Sequence, residues 1–522
     1  MITRRTGAAA LLFLVLPGAL AQRAAHASDA WRDNGQLHVC TGPLPAQAAV
    51  LCVRAGSPPG GSGTAPAPYA GIGVAIAAAK AGDIIQVAGG TYLENIAIGS
   101  LASQAAKPLT LLGGFATDFT ARDAAQHVAT IDGGQLAPAV QLHVASAQTT
   151  TLDGFRITGG RGLGTSWQDG GGHGGGVYVR QGGNGTTVVS NNLIEGNRSN
   201  NHTSIDSRGG GIHADSQAWG GATATVRIED NRVRDNHAGK GAGVNVVGRR
   251  AELLRNRIED NTGHSDHGGG LYISTASTLV QHNTVAGNVI GATVGYGWGG
   301  GILVAGASAD LIGNLITDNH APTTGAGIFW DEGATGTMRN DRVVANRCPS
   351  GSRSGAGIYL DGGPGGPSIV SMENLTIAGH LCPGTAPDGA AVVIEAGSTA
   401  SFRNTILWGN TREFLTLSGG SFSIVHSLTQ QAGTGNLLAD PLFADPAGGD
   451  YHLRSAHGRY TPGGWVSDLV TSPAIDAGDP ASAFSLEPLP NGGRINLGAY
   501  GNTPQASRSA GGDLIFANGF DP

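Results

Sequence analysis

Asn256-Arg257-Ile258-Glu259-Asp260-Asn261, followed shortly by Gly268-Gly269-Gly270-Leu271-Tyr272-Ile273, decides the fold of this chain. The first unit, Asn-x-Ile/Val-x-x-Asn, recurs as Asn192–Asn197, Asn231–Asn236, Asn283–Asn288 and Asn314–Asn319, with degenerate copies ending at Asn346, His380 and Asn410. The second, Gly-Gly/Ala-Gly-aliphatic, recurs as Gly209–Ile212, Gly241–Val244, Gly299–Ile302, Gly325–Ile328 and Gly355–Ile358, with a weaker copy at Gly389–Val392 and an earlier one at Gly174. Its last glycine, or Ala391 in that place, falls at 176, 211, 243, 270, 301, 327, 357 and 391. A variable period of about 30 residues is the signature of a solenoid whose coils differ in loop length.

Within each period the apolar residues alternate, as in Gly357-Ile358-Tyr359-Leu360. That is the rhythm of strands, not of helices. Helical repeats need Ala-, Leu- and Glu-rich runs, which are missing. Propeller blades need a longer period and aromatic signatures, and only 7 tryptophans occur. The expected class is all-β, a stack of parallel coils. In such a stack the asparagines tolerate left-handed corners and bond the same residue one coil on. Asn197, Asn236, Asn261, Asn288, Asn319 and Asn346 are expected to form a ladder along one edge, and Asp235, Asp260 and Asp318 to sit at corners.

Composition agrees. Of 522 residues 88 are glycine, and 13% are charged, about half the usual ~25%. This excludes a disordered chain, and the absence of strict triplets excludes collagen. A net charge of −7 gives no argument for nucleic acid. The densest basic region, Arg227 to Arg257, is interleaved with Glu229, Asp230, Glu252 and Glu259, and reads as a charge-paired face.

Arg4 and Arg5, the apolar run Ala8–Leu16 and small-x-small sites at Ala19–Ala21 and Ala25–Ala27 read as a signal peptide over 1–27, cleaved after 21 or 27. The expected location is outside the cytoplasm, secreted or at the cell surface, with no transmembrane segment in a monomeric mature chain. Four cysteines suit that compartment. Cys40 and Cys52, close in sequence, are expected to pair. Cys348 lies two residues after Asn346 and Cys382 two after His380, each followed by proline. They therefore share one site in successive coils. Stacked strands lie ~4.8 Å apart, within disulfide reach, so this pair is expected to bond too.

These repeats resemble secreted right-handed parallel β-helix proteins of pectin-lyase-like architecture, over roughly residues 68 to 506. Gly71 to Ala81 is similar to the N-terminal cap helix, and Gly82–Tyr92 to a first coil. Asp440-Pro441-Leu442-Phe443, Ser472–Gly478 and Arg494–Gly501 resemble the C-terminal region called choice-of-anchor Q, whose members carry varied surface-anchoring tails. Here the tail would be Asp513–Pro522. The implied layout is an N-terminal segment at 28–67, a parallel β-helix at 68–439, a C-terminal cap at 440–506 and a sorting-like tail at 507–522. A β solenoid needs both ends covered, which gives the cap a physical purpose.

Variable loops between the two units leave the same corner of every coil, and they hold the chemistry. Trp167, His173, His202, His237, His264, His267, Tyr296 and Trp298 are expected to bind a polysaccharide. Lys240, Arg208, Asp206 and Asp266 are the catalytic candidates. Lyases of the resembled architecture neutralise a uronate carboxylate with Ca²⁺ or Arg/Lys and remove a proton with Lys or Arg. Lys240 with Arg208 suits those roles, and Asp206 and Asp266 are the Ca²⁺ candidates. Paired carboxylates among Asp169, Asp206 and Asp266 would instead serve hydrolysis. Asp468, Asp476 and Asp479 are a further Ca²⁺ candidate set. No stretch matches a specific catalytic motif. Lyase or hydrolase chemistry and a non-catalytic, adhesin-like surface protein therefore both stay open.

Overall fold

The structure is a computed structural model that describes residues 48–99, 107–162, 172–199, 207–216, 223–291, 297–347, 355–380 and 390–510, without the side chains of Ser265 and Asp266. The chain winds as a right-handed parallel β-helix. Each coil contributes three short strands. In one coil these are Ile328–Asp331, Thr335–Arg339 and Arg342–Val344, defining a first, second and third face. The strands of the third face form an 11-stranded sheet. The first and second faces merge, because Val244–Leu254 and Leu271–Gln281 run unbroken around the bend between them.

Alternation decides what fills the interior. Val244, Val246, Leu253 and Ile258 point inward in one coil, and Leu271, Ile273, Val280 and Val285 in the next, all fully buried. The stack begins earlier than the sequence suggests. Val50–Val53 lies parallel on Ile84–Ala88, so part of the segment 28–67 belongs to the coils. Helix Ile72–Ala78 buries Ile72, Ala75 and Ile76 in the same core, and Glu94 accepts the Ile72 and Gly73 N–H groups at its start, each at 2.9 Å.

The two asparagines of each unit build two ladders, one on each side of the third face. Asn197, Asn236, Asn261, Asn288, Asn319 and Asn346 form one; Asn192, Asn231, Asn256, Asn283 and Asn314 form the other. The ladder expected along one edge is present, and the second runs along the other edge. The left-handed residue is the one before each rung, such as Asp235, Asp260 and Asp318 (φ 53–55°), and the rung asparagines themselves are buried. Each side-chain oxygen accepts the backbone N–H and the amide N–H of the rung one coil earlier; Asn288 takes both from Asn261, at 3.1 and 2.9 Å. Each amide also donates to a carbonyl of the preceding coil, Asn288 to Ile258 at 2.8 Å.

The last glycine of the second unit packs against a rung. A Cβ on Gly243 would stand 2.7 Å from Gly270 O and 2.8 Å from Asn261 Nδ2. The asparagine and glycine motifs are therefore two sides of one contact.

The described C-terminal residues pack along the flank of the coil, on the outer side of its third face. On early coils the outer side of the third face is a lattice of Arg156, Glu195, Arg234, Arg232, Glu259 and Arg257. On later coils the same positions are Val344, Ala378, Ile406 and Trp408, which pack with Phe443, Tyr451, Leu453, Ile475 and Leu497. Asn340 Nδ2 donates to Ala499 O and Gly501 O at 3.0 and 2.8 Å, and Arg342 bonds Tyr500 Oη at 2.9 Å. Residues 437–510 therefore form a buttress along the flank. An apolar outer surface had to be covered, and this segment supplies the apolar partners.

Cys52 is buried and disulfide-bonded. Cys40, Cys348 and Cys382 lie outside the described residues, so neither expected pairing is placed. No helix among the described residues is long and apolar enough to cross a membrane.

Candidate functional site

Register brings five of the candidate side chains into one column. The Gly174 N–H bonds Arg208 O, which sets His173 beside Arg208. Arg208 then neighbours Lys240, Lys240 neighbours His267, and His267 neighbours Trp298. Coil spacing puts about 4.8 Å between successive members.

A second column stands alongside it, on the outward positions of the first face. It runs Tyr178, His213, Asn245, Tyr272, Leu303, Phe329 and Tyr359. The two columns touch. The His173 ring lies 4.7 Å from that of His213 and 6.4 Å from Tyr178, and Tyr178 lies 5.2 Å from His213. Lys240 Nζ sits 5.8 Å from the Tyr272 ring centroid. His267 meets Trp298 edge-on at 5.0 Å.

Charge is arranged around Arg208. Its guanidinium acts electrostatically on His173, His213, His267 and Tyr272, with Arg180 adding to the first two and Lys240 to His267. Burial, followed by these cations, holds His173 and His267 down at about 3. Burial, then His173 and Arg208, holds His213 well below the usual imidazole value. Burial alone dominates the rise of Tyr178 to about 12. At neutral pH the wall is thus neutral imidazoles and protonated phenols among fixed cations. Several of its polar atoms are sealed from water without a partner: His173 Nδ1, His267 Nδ1 and Asn245 Nδ2. A buried polar atom with no partner costs about 1–3 kcal/mol, which a ligand group would recover.

Other candidates fall elsewhere. His237 aligns with Arg198 and Thr262 in a neighbouring column, and its ring stacks on His264 at 6.0 Å. Trp298 spends a face on Phe329, 6.0 Å away, and joins an apolar cluster of Tyr272, Leu303, Phe329 and Tyr359. It is therefore packed into the wall and not an open platform. Trp167, His202, Asp206 and Tyr296 lie outside the described residues, as does the Asp266 side chain. Among the described residues no three His, Cys, Asp or Glu side chains gather as a metal shell. Asp468 is engaged by Arg459, and Asp479 by Arg403 and the Asn404 side chain, so the set of Asp468, Asp476 and Asp479 does not converge.

Tyr178, Arg180, His213 and Asn245 were not among the residues expected from the sequence. The signal for three of them was present: each follows the last glycine of its motif by two residues, the outward position of the strand.

The class these features define is a right-handed parallel β-helix with a polar, cationic wall on one face. Residues 370–478 match the family model described as "Disaggregatase related". No curated protein matches the chain. Among solved structures the chain is similar to pectate lyase Pel9A, with 12% identity over 86% of this chain and 95% of that one and a TM-score of 0.42. It is also similar to a mannuronan C-5 epimerase A-module from Azotobacter vinelandii, with 12% identity, 69% and 94% coverage and a TM-score of 0.36. A third is the catalytic unit of a GH87 alpha-1,3-glucanase from Streptomyces thermodiastaticus, with 16% identity, 78% and 71% coverage and a TM-score of 0.38. The likeness is one of chain winding, and no residue role is carried across.

Proposed function

We propose that this protein is exported and binds or processes an extracellular or envelope polysaccharide that carries acidic units, along the first face between His173 and Trp298. The observation that supports this reading is the placement of Arg208. One guanidinium stands among two histidines of its own column, one of the next and a tyrosine, with Arg180 and Lys240 close by. Cations among neutral hydrogen-bonding rings suit a carboxylate surrounded by hydroxyls. Coil spacing is comparable to the length of a sugar unit, so a glycan lying along the stack would meet successive coils in turn. In this reading residues 1–27 direct export, the C-terminal tail serves surface attachment, and Asp206 and Asp266 remain the Ca²⁺ candidates.

The closed aromatic cluster from Tyr272 to Tyr359 favours a second reading, a non-catalytic surface protein whose face is a packing surface. Binding of mature protein to immobilised acidic and neutral polysaccharides, with and without Ca²⁺, tests both. Selective retention of acidic polymers, weakened at least tenfold by Arg208→Ala, is expected. Equal or no retention of all polymers would reject the site.

A further inference from the structure

The exposed apolar side chains of this protein are not scattered. Six of the twelve large ones among the described residues, Trp465, Val466, Leu469, Val470, Leu486 and Leu489, fall within 25 residues of the buttress. Two of them stand on the strand Gly464–Val466, which pairs with Arg459–Thr461 in a two-stranded sheet that no other described strand joins. On a surface that is otherwise polar, such a concentration marks a contact.

The place where the described chain stops says what makes that contact. The Arg508 N–H donates to Gly458 O at 2.8 Å, one residue before the hairpin, and its guanidinium carbon lies 3.9 Å from the Trp465 ring centroid. The Ser509 N–H donates to Pro490 O at 3.2 Å, beside Leu489. Consecutive residues thus touch both parts of the patch, and the chain leaves from between them. Two polar atoms at this exit are sealed from water without a partner, Arg508 Nε and the Oγ of Ser509, a residue 93% buried. The 12 residues that follow Ala510 hold Leu514, Ile515, Phe516 and Phe520, with Asp513 as their first acid and no cation. Six residues of extended chain, from Arg508 to Leu514, span up to ~20 Å, enough to cross the patch.

We infer that Gly511–Pro522 folds back onto this patch, with Ile515 and Phe516 against Trp465 and Leu469, and Asp513 toward Arg508 and Ser509. The tether keeps the segment at an effective concentration on the order of 1 mM, so a contact with a dissociation constant of ~0.1 mM between separate molecules would leave it docked about ten times as often as free. A modest interface is therefore sufficient. Docking shields the apolar residues of the tail and the buttress together, and a partner that takes the tail must first displace it from the buttress. The inference goes beyond the glycan-binding reading and does not depend on it.

Hydroxyl-radical footprinting of the full chain, its mass first shown to include residues 511–522, reads the exposure of these side chains directly. Phe516 and Phe520 should oxidise at least ~5-fold more slowly than in a free peptide of residues 511–522. Phe516→Asp should speed oxidation of Trp465 and Leu469, and Leu469→Asp should return Phe516 to the rate of the free peptide. Leu469 is fully exposed and Phe516 lies outside the coils and the buttress, so neither change disturbs the core. A tail that reacts as fast as the peptide in the parent chain, or variants that leave the other side unchanged, would overturn the docking. Protection that fades on dilution, with a matching fall in mass by light scattering, would give the patch to a second copy of the chain and overturn it equally.

Discussion

Asn314 donates its backbone N–H and its side-chain amide to a single oxygen of Asp341, at 2.7 and 2.8 Å. Asp341 is thus a rung of an asparagine ladder made from an acid. Every asparagine rung here uses its nitrogen to donate to a carbonyl of the preceding coil, as Asn314 does to Val280 O. Asp341 puts Oδ2 in that place, fully buried and without a partner. Burial pushes its carboxyl up to about 7, against the lowering effect of the two Asn314 donors.

The sign of the pH effect follows. The folded chain keeps this proton until about pH 7, whereas an unfolded carboxyl releases it near ~4. Stability therefore falls as pH rises between those values and is level above. Asp341→Asn should remove the loss, raising stability by roughly 2–4 kcal/mol at pH 8 and by little at pH 4. Denaturant unfolding at the two pH values checks this; an equal gain at both would disprove the assignment.

His380 takes a rung of the other ladder, between Asn346 and Asn410, in the opposite sense. Its Nδ1 accepts the Asn346 N–H at 3.2 Å, and its Nε2 faces Val343 O at 2.9 Å, so a neutral ring reproduces the acceptor and donor of an amide. Burial holds its pKa down to about 4. The unfolded ring protonates near ~6.5, so stability is lost as pH falls from there toward 4. His380→Asn should fold at neutral pH and abolish that loss, read as a flatter melting temperature between pH 4 and 7.

A rung in mid-ladder has no such substitute. Asn288→Ala leaves the Asn261 N–H and amide without their shared acceptor, and removes the donor to Ile258 O. The expected cost is about 3–5 kcal/mol, seen as a lower unfolding midpoint. By contrast Glu195, which bridges Arg156 and Arg234 on the outer surface, joins side chains that are 44% and 35% exposed. Glu195→Gln should cost under ~1 kcal/mol, and the difference should shrink in high salt.

The buttress predicts a different failure. Ending the chain before residue 437 uncovers Val344, Ala378, Ile406 and Trp408. The stack above should remain wound, because its core does not use these residues, but the product should self-associate. Light scattering of the truncated protein, compared with the parent, measures this.

Much of the winding was legible because one coil repeats another. Alternation in Gly270-Leu271-Tyr272-Ile273 named the inward residues, and the shared corner of the loops put His173, Arg208, Lys240, His267 and Trp298 on one wall, though not in a single column. Ladder geometry was not legible to the same depth. The corner places of Asp235, Asp260 and Asp318 were legible, but the second ladder, Asn192 to Asn314 on the other side of the face, was not. The buttress was hidden because its partners, such as Val344 and Phe443, are far apart in sequence and each looks ordinary alone. His213 and Tyr178 were not legible for a related reason: they stand on strands, while the variable loops carry most of the aromatic and charged residues.

Shared register also makes the molecule modular in length. Gly241–His267 is one complete turn of the winding, from one column member's successor to the next. Excising it would join Lys240 to Gly268 and leave the glycine, asparagine and core positions in phase. Lys240 would then neighbour Trp298 in place of His267. A single in-frame loss or duplication can thus re-order the side chains on the face without disturbing the scaffold, so recombination between coils could rewrite specificity in whole steps while point mutation refines it.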